Sequence, residues 1–287
     1  MADPAVSPAT DGALSLHDAL LTRFGETVAI PAELSGLSEL ATIANHRVHR
    51  RYTERAVSPD LLRLLCACAL SAPSKSDLQQ ADILIVRDKF RREAITALLP
   101  EMPWVIQAPV FLVFLANARR LPFIARERGT PFPNDHLDLF FNASVDAALV
   151  LATFMRAAEA VGLGCCPISV IRDHAATVSN MLALPDKVIP IAGMCVGWPA
   201  EPSGITPRLP LDITVHEETY DEGDLAAGIG GYDRRRAAIR PFRNQRESAR
   251  FGHAEFYGWS EDKARQYANP ARADFGAFVR GKGFCLD

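Results

Sequence analysis

Hydrophobic and polar residues follow two different periods along this chain, and these periods predict both helices and strands. Residues 59–72 carry apolar side chains at helical spacing, with Ser58 and Pro59 suited to the start of a helix and Pro73 to its end. Residues 81–88 form a short β-branched run and residues 110–116 a continuous apolar run, both typical of strands. Further segments predict helices over 89–99 and 174–184 and a strand over 189–199.

The longest helical segment, residues 137–161, is apolar on nearly every side, and Gly162 is placed to end it. A helix of this kind packs deep in a large core or against a partner subunit. Four charged residues within it argue against a membrane span: Asp138, Asp146, Arg156 and Glu159.

Both ends of the chain differ from its centre. Residues 1–40 look like an extension with an Ala/Pro/Ser-rich, mobile start, followed by short helices around Leu16–Phe24 and Leu37–Ala44. Residues 217–287 are rich in Arg, Gly and aromatic side chains, with helical pieces near 222–240 and 260–281. We predict one α+β domain, in which 41–215 form the core and 216–287 an arm that packs on the core or on a partner subunit.

Composition narrows the class of protein. The 287 residues are 48% hydrophobic, enough to build a sizeable core, and the net charge of −3 provides no general attraction for nucleic acid or anionic lipid. The N-terminal residues lack the features of a secretion signal, so we expect a cytoplasmic protein. The six cysteines show no C-x-x-C pair and no zinc spacing, which predicts no bound metal. We expect Cys165 and Cys166 to be reduced side chains in a loop, with redox activity as the alternative.

Three polar segments carry the candidate chemistry. They are HRVHRRYT (46–53), SAPSKSDLQQ (71–80), and GLGCCPISVIRD (162–173) together with GWPAEPSGITPRLP (197–210). Each has a plain structural interpretation: a solvated basic loop, helix-stop and turn residues, and a glycine-rich turn with helix caps at Gly162 and Gly164. Each also suits a ligand, because basic, hydroxyl and glycine residues bind phosphate and planar polar rings. No GxGxxG or P-loop pattern supports a Rossmann or NTPase function.

In combination these segments resemble a known family. HRVHRRYTE, APSKSDLQ, AAEAVGLG, CPI, LPDKVIPIAGMCVGWPAE and PRLP occur in the order found in bacterial nitroreductases and NAD(P)H:flavin oxidoreductases. The likeness is greatest to the oxygen-insensitive, NADPH-preferring group with a long C-terminal arm; it covers residues 40–220 well and the arm loosely. It implies an α+β fold with a mixed, mainly antiparallel sheet flanked by helices, and an intertwined homodimer with one FMN per subunit at the interface. It also implies that helix 137–161 lies in this interface, with Val150 or Phe154 facing the partner.

The resemblance assigns a phosphate-binding role to residues from two of the segments. His46 and Arg47 match positions that approach the FMN phosphate and ribityl chain, and Arg208 matches a phosphate cation. Two positions depart from the family pattern, since Val48 replaces a serine and Thr206 replaces a lysine. The resemblance therefore implies a weakened phosphate pocket, unless Lys75 or an arginine of the arm compensates.

The remaining assignments concern the flavin ring. Arg50 matches a cation at the pyrimidine edge, where negative charge develops on reduction. The other matched positions are Ser74, Ser76 and Asp77 in the loop facing the ring, Gln79 near the ring or substrate, and the backbone of Pro167, Ile168 and Ser169 beside flavin N5. Many relatives have asparagine or an aromatic residue at the position of Asp77.

The resemblance implies a ping-pong oxidoreductase in which NADPH or NADH reduces FMN and a nitroaromatic, quinone or flavin then accepts two electrons. No side chain is required as nucleophile or base, in keeping with the lack of a catalytic triad or carboxylate pair in the sequence. Two alternatives are a relative that performs reductive dehalogenation or ring modification, and a flavin-binding protein without turnover. The run Arg234, Arg235 and Arg236 is either a solvated helix face or a site for the 2′-phosphate of NADPH.

Overall fold

The computed structural model of the chain describes residues 13–287, and the prediction of a mobile start falls outside them. The described residues divide into two compact units. The first comprises Val48–Ser203 and Arg272–Asp287, and the second comprises residues 13–47 and Gly204–Ala271. The residues after 216 are therefore shared between the two units.

The helices of the described residues are α1 (Leu16–Phe24), α2 (Leu37–Ala44), α3 (Pro59–Leu70), α4 (Lys89–Ala97), α5 (Trp104–Gln107), α6 (Arg120–Arg128), α7 (Leu137–Ala160), α8 (Ala175–Met181), α9 (Leu225–Ile239), α10 (Ser248–Phe251), α11 (Trp259–Tyr267) and α12 (Phe275–Gly281). Short 3₁₀ helices cover Lys75–Asp77, Ser169–His174 and Leu211–Ile213. The strands are β1 (Ala81–Ile85), β2 (Val110–Asn117), β3 (Gly164–Ile168) and β4 (Val188–Gly197).

The first unit is built on a four-stranded sheet in the order β1-β2-β4-β3, and every pair of neighbouring strands is antiparallel. The mainly antiparallel α+β fold is thereby confirmed. The continuous apolar run predicted as a buried strand forms β2, which pairs with a strand on each side. Both of its faces are covered, so alternation with polar residues is not needed.

The glycine-rich turn predicted at 162–173 is wrong in part, because residues Gly164–Ile168 form the edge strand β3. Its cysteines are not in a loop. Cys165 packs in the cluster on one face of the sheet and Cys166 in the cluster on the other. The glycine and proline in this short segment hide its strand pattern, since both residues are depleted in strands.

Two glycines at the start of this segment have different functions. Gly162 has φ +83° and follows the end of α7, so the predicted helix cap is confirmed. Gly164, which was also expected to cap the helix, lies within β3. A Cβ atom at this position would come within 2.8 Å of the His49 side chain, so glycine allows the close approach of His49 to the strand.

Helix α7 packs one face into the core of the first unit and exposes the other. Phe154 is fully buried and meets the ring of Phe114 edge-on, with 5.7 Å between the ring centroids. Val150 is also buried in this cluster, so the expectation that Val150 or Phe154 faces a partner subunit is wrong. The exposed apolar side chains recur every fourth residue: Leu137 (49% exposed), Phe141 (60%), Val145 (40%) and Leu149 (38%). The helix is long and apolar enough to cross a membrane, but its other face belongs to the protein core.

Most predicted helices are confirmed with small changes at their ends. Ser58 caps α3 by accepting a hydrogen bond from the Leu61 backbone N–H at 3.2 Å. The predicted helix at 174–184 is shorter and follows a 3₁₀ turn, and α6 was not predicted. The piece expected over 260–281 is two helices, because Asn269-Pro270 lies between them and disfavours helical backbone.

The second unit confirms the two short helices predicted near the N-terminus. In α1, Ala19 is fully buried and forms a small cluster with Ala44 and Ile205. Helix α9 contacts α11, where the rings of Tyr232 and Trp259 meet edge-on with 5.3 Å between their centroids. These contacts pack α9 against α11 within the second unit.

Candidate functional site

The polar loop at residues 74–80 of the first unit is organised by one buried carboxylate, that of Asp146 in α7. Asp146 is 2% exposed and accepts three hydrogen bonds from the loop. The donors are the Ser74 hydroxyl at 2.7 Å, the Lys75 backbone N–H at 3.2 Å and the Gln80 backbone N–H at 3.1 Å. The Ser74 hydroxyl in turn accepts from the Gln79 backbone N–H at 2.8 Å. The carboxylate thus fixes both ends of the loop, and the Ser74 hydrogen is used within the protein.

The loop has an unusual backbone that leaves three of its side chains exposed. Ser76, Asp77 and Gln79 have φ values of +48°, +57° and +51°, in the left-handed region that L-residues rarely adopt. Such conformations persist when the surrounding structure holds them, and they are frequent at ligand sites. The Gln79 amide donates to the Asp77 carboxylate at 3.0 Å, so these two predicted ligands form one polar edge.

Lys75 points away from this edge towards α7. Its ammonium group donates to the Asp138 carboxylate at 3.0 Å. This hydrogen bond, together with one from Asn142, lowers the pKa of the Asp138 carboxyl below its usual value. The charge of Lys75 is therefore partly balanced within its own unit.

Arg50 is an exposed cation that lies over a half-buried aromatic ring. Its guanidinium lies over the Trp104 ring, with 5.3 Å between the guanidinium carbon and the ring centroid. It also lies against the Cys166 thiol. Burial raises the pKa of this thiol, and the positive charge of Arg50 acts in the opposite direction. Arg50 is therefore held by an aromatic ring and a neutral thiol, which leaves its charge available to a ligand.

The segment Pro167–Ser169 follows Cys166 at the end of the edge strand β3. Ile168 is buried in the core, so only its backbone could reach a ligand. Pro167 is half-buried and Ser169 is exposed at the start of a 3₁₀ helix. The exposure of this segment is compatible with a backbone contact to a ligand.

In the second unit, the buried Arg23 forms hydrogen bonds to the segments that contain the remaining predicted site residues, His46, Arg47 and Arg208. Its guanidinium donates to the backbone carbonyl groups of Ala44 at 2.9 Å, Thr206 at 3.1 Å and His46. Its own carbonyl accepts from the Arg208 backbone N–H at 2.7 Å and from the Arg235 guanidinium at 2.7 Å. Arg23 thus brings the segment before Arg47 and the segment around Arg208 to one place.

Two arginines at this place donate hydrogen bonds to neighbouring backbone and side-chain oxygens. Arg47 donates to the Asn45 side-chain oxygen at 2.7 Å and to the Asn45 carbonyl at 3.0 Å. The exposed Arg208 guanidinium contacts the carbonyl groups of Thr206 and Pro207, each at 3.4 Å. Within residues 13–287 the exposed Arg208 guanidinium contacts only carbonyl oxygens, which suits an anionic ligand such as phosphate.

The three consecutive arginines of α9 differ in their contacts within the second unit. Arg235 donates to two backbone carbonyls, those of Arg23 and Arg208, at 2.7 and 2.6 Å. Arg236 stacks on the Phe242 ring at 3.9 Å and donates to the Arg240 carbonyl at 3.1 Å. Arg234 is exposed. Of the three, Arg235 and Arg236 therefore have structural contacts that exceed those of a solvated helix face.

The predicted site residues fall into two groups, one in each unit. The first unit holds Arg50, the 74–80 loop and the Pro167–Ser169 segment, and the second holds His46, Arg47 and Arg208. Among residues 13–287 there is no group of three or more His, Cys, Asp or Glu that could hold a metal ion. An exposed arginine suits a phosphate group, and a polar loop with a fixed cation suits a planar polar ring.

Sequence analysis does not identify two residues that position these groups, one in each unit. Asp146 was noted only as a charge within an apolar helix, although an acidic residue in such a helix implies a buried partner. Arg23 was not noticed, because it lies in the polar part of a short amphipathic pattern. Their partners are distant in sequence, and no local pattern identifies them.

Comparison with known proteins gives matches over most of the chain. The model of the Nitroreductase family matches residues 43–198, and that of the Nitroreductase family, C-terminal domain, matches residues 206–287. A Bacillus subtilis (strain 168) protein named FMN reductase [NAD(P)H] is 34% identical over 232 residues, which cover 79% of this chain and 90% of that protein. The Oxygen-insensitive NADPH nitroreductase of Salmonella typhimurium is 34% identical over 185 residues, covering 63% of this chain and 74% of that protein.

Solved structures agree with these matches. The structure of B. megaterium NfrA2 has a TM-score of 0.78 at 32% identity, covering 87% of this chain and 98% of that chain. The NADPH:FMN oxidoreductase from Vibrio harveyi, solved in complex with NAD+, has a TM-score of 0.74 at 27% identity and covers 85% of this chain and 97% of that chain.

Proposed function

Because this chain belongs to the nitroreductase family, we infer that it is an FMN-dependent oxidoreductase that takes electrons from NADPH or NADH. The observation that carries this function is the 34% identity, over 79% of the chain, to a reductase named for FMN and NAD(P)H. When bound, FMN supplies the two-electron chemistry, receiving hydride from the nicotinamide and passing two electrons to an acceptor. We propose that the reaction is ping-pong and that the acceptor is a nitroaromatic, a quinone or a flavin.

The cations of the second unit suit the FMN phosphate. Arg208 is exposed and contacts only carbonyl oxygens among the described residues, so a phosphate would meet a fully charged guanidinium. His46 and Arg47 belong to the segment that Arg23 joins to the Arg208 segment. We propose that these three residues bind the phosphate and the ribityl chain.

The polar surface of the first unit suits the flavin ring. Arg50 is held over Trp104 and provides a fixed positive charge for the pyrimidine edge. Ser76, Asp77 and Gln79 are exposed on a loop whose shape depends on Asp146. We propose that this loop and the backbone of Pro167–Ser169 orient the ring. No side chain is asked to act as a nucleophile or base, so the protein's task is orientation and electrostatics.

We also propose that the protein is a cytoplasmic homodimer. The exposed stripe on α7 is unusual for a monomer surface, because four apolar side chains follow one another at helical spacing: Leu137, Phe141, Val145 and Leu149. A second copy of the chain is the partner that the family suggests.

For the nicotinamide, we propose that Arg234 contacts the 2′-phosphate of NADPH, since its neighbours Arg235 and Arg236 have internal contacts.

Steady-state kinetics test this function. The purified protein should oxidise NADPH or NADH in the presence of a quinone, a nitroaromatic or free flavin. Double-reciprocal plots at several acceptor concentrations should be parallel, because the nicotinamide leaves before the acceptor binds. Intersecting lines would contradict the ping-pong order, and lack of turnover with every acceptor class would contradict the enzymatic function.

A further inference from the structure

Three guanidinium groups of the second unit converge on Thr206. Arg23 donates to the Thr206 carbonyl at 3.1 Å, and Arg208 approaches the same carbonyl at 3.4 Å. Arg240, at the C-terminal end of α9, approaches the Thr206 hydroxyl at 3.4 Å. Arg23 is buried, whereas Arg208 and Arg240 are exposed. The two exposed charges therefore flank a residue with a hydroxyl group.

The backbones of both exposed arginines are fixed on two sides. The Arg208 N–H donates to the Arg23 carbonyl at 2.7 Å, and its carbonyl accepts from Arg235 at 2.6 Å. The Arg240 N–H donates to the Arg236 carbonyl at 2.7 Å, and its carbonyl accepts from the Arg236 guanidinium at 3.1 Å. These contacts hold the backbones and leave the two guanidinium groups to point to the same residue.

The two exposed guanidinium groups have positive charge and N–H donors that strong contacts within their unit do not use. Within residues 13–287 neither forms an ion pair, and their 3.4 Å contacts lie beyond the usual 2.7–3.2 Å range of a strong hydrogen bond. Two like charges near one residue repel each other, and a dianion between them would remove this repulsion. A phosphate monoester supplies such a dianion with acceptor oxygens for the arginine fork and for the threonine hydroxyl.

We propose that Arg240 and Thr206, together with Arg208, bind the terminal phosphate of FMN. The proposal rests on the proposed function and adds two ligands to it. The family resemblance places a lysine where this chain has Thr206, and Arg240 supplies the missing charge from the arm. Lys75, the other cation considered for this role, is bonded to Asp138 at 3.0 Å.

Riboflavin lacks the phosphate of FMN, so comparing the affinities of the apoprotein for the two flavins isolates the contribution of the phosphate contacts. Arg240→Ala should raise the dissociation constant for FMN about tenfold, the scale of one charge-assisted contact at an exposed site, and leave that for riboflavin unchanged. Arg243→Ala is the matched control, because Arg243 is an exposed arginine three residues away that has the same charge. It should bind both flavins as the wild type does.

A second substitution provides a rescue that a merely structural effect would not give. Thr206→Lys in the Arg240→Ala background should restore most of the FMN affinity, because it returns a cation to the same place. Equal FMN affinities for the Arg240→Ala and Arg243→Ala variants would overturn the proposal. So would an equal loss of FMN and riboflavin binding, or failure of the rescue.

The 2′-phosphate of NADPH is the other anion that these residues could bind, and steady-state kinetics distinguish it from the FMN phosphate. Arg240→Ala should change the KM values for NADPH and NADH equally at saturating FMN. A higher KM for NADPH alone, with unchanged FMN affinity, would assign Arg240 to the 2′-phosphate and overturn the proposal. If the wild-type protein binds no FMN at all, it is the proposed function that fails.

Discussion

The hydroxyl group of Ser74 donates a hydrogen bond of 2.7 Å to the carboxylate of Asp146, which is buried in the helix that crosses beneath the sheet. The same carboxylate accepts from the backbone at both ends of the 74–80 loop. One buried carboxylate of a largely apolar helix therefore fixes the loop that carries Ser76, Asp77 and Gln79. The loop's left-handed backbone depends on contacts of this kind, because isolated L-residues avoid it.

Asp146→Asn should destabilise the protein, because an amide cannot accept all the hydrogen bonds that the carboxylate accepts. We expect the free energy of unfolding to fall by about 2–3 kcal/mol, the scale of a buried donor left unpaired. FMN affinity should fall as well, since the loop loses its anchor. Urea denaturation and flavin titration measure the two effects.

Asp138→Asn is the control for Asp146→Asn, because Asp138 is an exposed carboxylate of the same helix that contacts Lys75 of the same loop. It should change stability and FMN affinity little, since exposed ion pairs are screened by water. Equal effects of the two substitutions would show that Asp146 has no special function in the loop.

Arg50 and Arg208 should differ in their effects on the flavin. Arg208→Ala should weaken FMN binding by about 1.5–3 kcal/mol through loss of a charge-assisted contact with the phosphate. Arg50→Ala should lower the flavin midpoint potential by about 30 mV, which for two electrons corresponds to about 1.4 kcal/mol. Equilibrium titration and redox potentiometry measure these quantities. Wild-type affinity and potential in both variants would refute the placement of the site.

The exposed stripe on α7 should be the subunit interface. Phe141→Glu, at a side chain that is 60% exposed, should give a folded monomer by sedimentation and circular dichroism. Phe154→Glu should instead unfold the protein, because Phe154 is fully buried in the core of its own unit. A wild-type protein that sediments as a monomer with bound FMN would contradict the dimer.

The cysteines should react in an order set by burial. Burial raises the pKa values of Cys165, Cys166 and Cys195, so the reactive thiolate is scarcer at pH 8 than for an ordinary thiol. Cys68 is exposed and should be alkylated first in the native protein. Peptide mapping by mass spectrometry should find the three buried thiols protected until the protein is unfolded. Labelling of Cys165 or Cys166 as fast as Cys68 would revive the redox-active alternative.

Part of this structure could be predicted from sequence because its signals are local. The apolar run of β2, the long apolar pattern of α7 and the Ser58-Pro59 start of α3 each specify an element without knowledge of the rest. β3 was missed because its glycine and proline resemble turn residues, and its strand conformation depends on pairing with β4. Periodicity likewise showed that α7 is apolar on every side but not which side faces the core, so Val150 and Phe154 were misplaced.

In the candidate site, too, some features have local sequence signals and others depend on tertiary contacts. The basic, hydroxyl-rich and glycine-rich segments stand out in the sequence, and their order suggested the family. The contacts that position them join residues far apart: Asp146 and Ser74 are separated by 72 positions, and Arg240 and Thr206 by 34. Such pairs depend on the tertiary fold and leave no trace in a local pattern.

The most direct test of the function is an anaerobic titration of the purified protein with NADPH. The protein should carry about one flavin per subunit, which denaturation should release as FMN. The bound flavin should absorb at about 450 nm, as oxidised flavins do. About one equivalent of NADPH should bleach this band, and addition of a quinone should restore it. A protein that carries no flavin after incubation with FMN, or whose bound FMN stays oxidised with excess NADPH and NADH, would contradict the assignment as an FMN-dependent oxidoreductase.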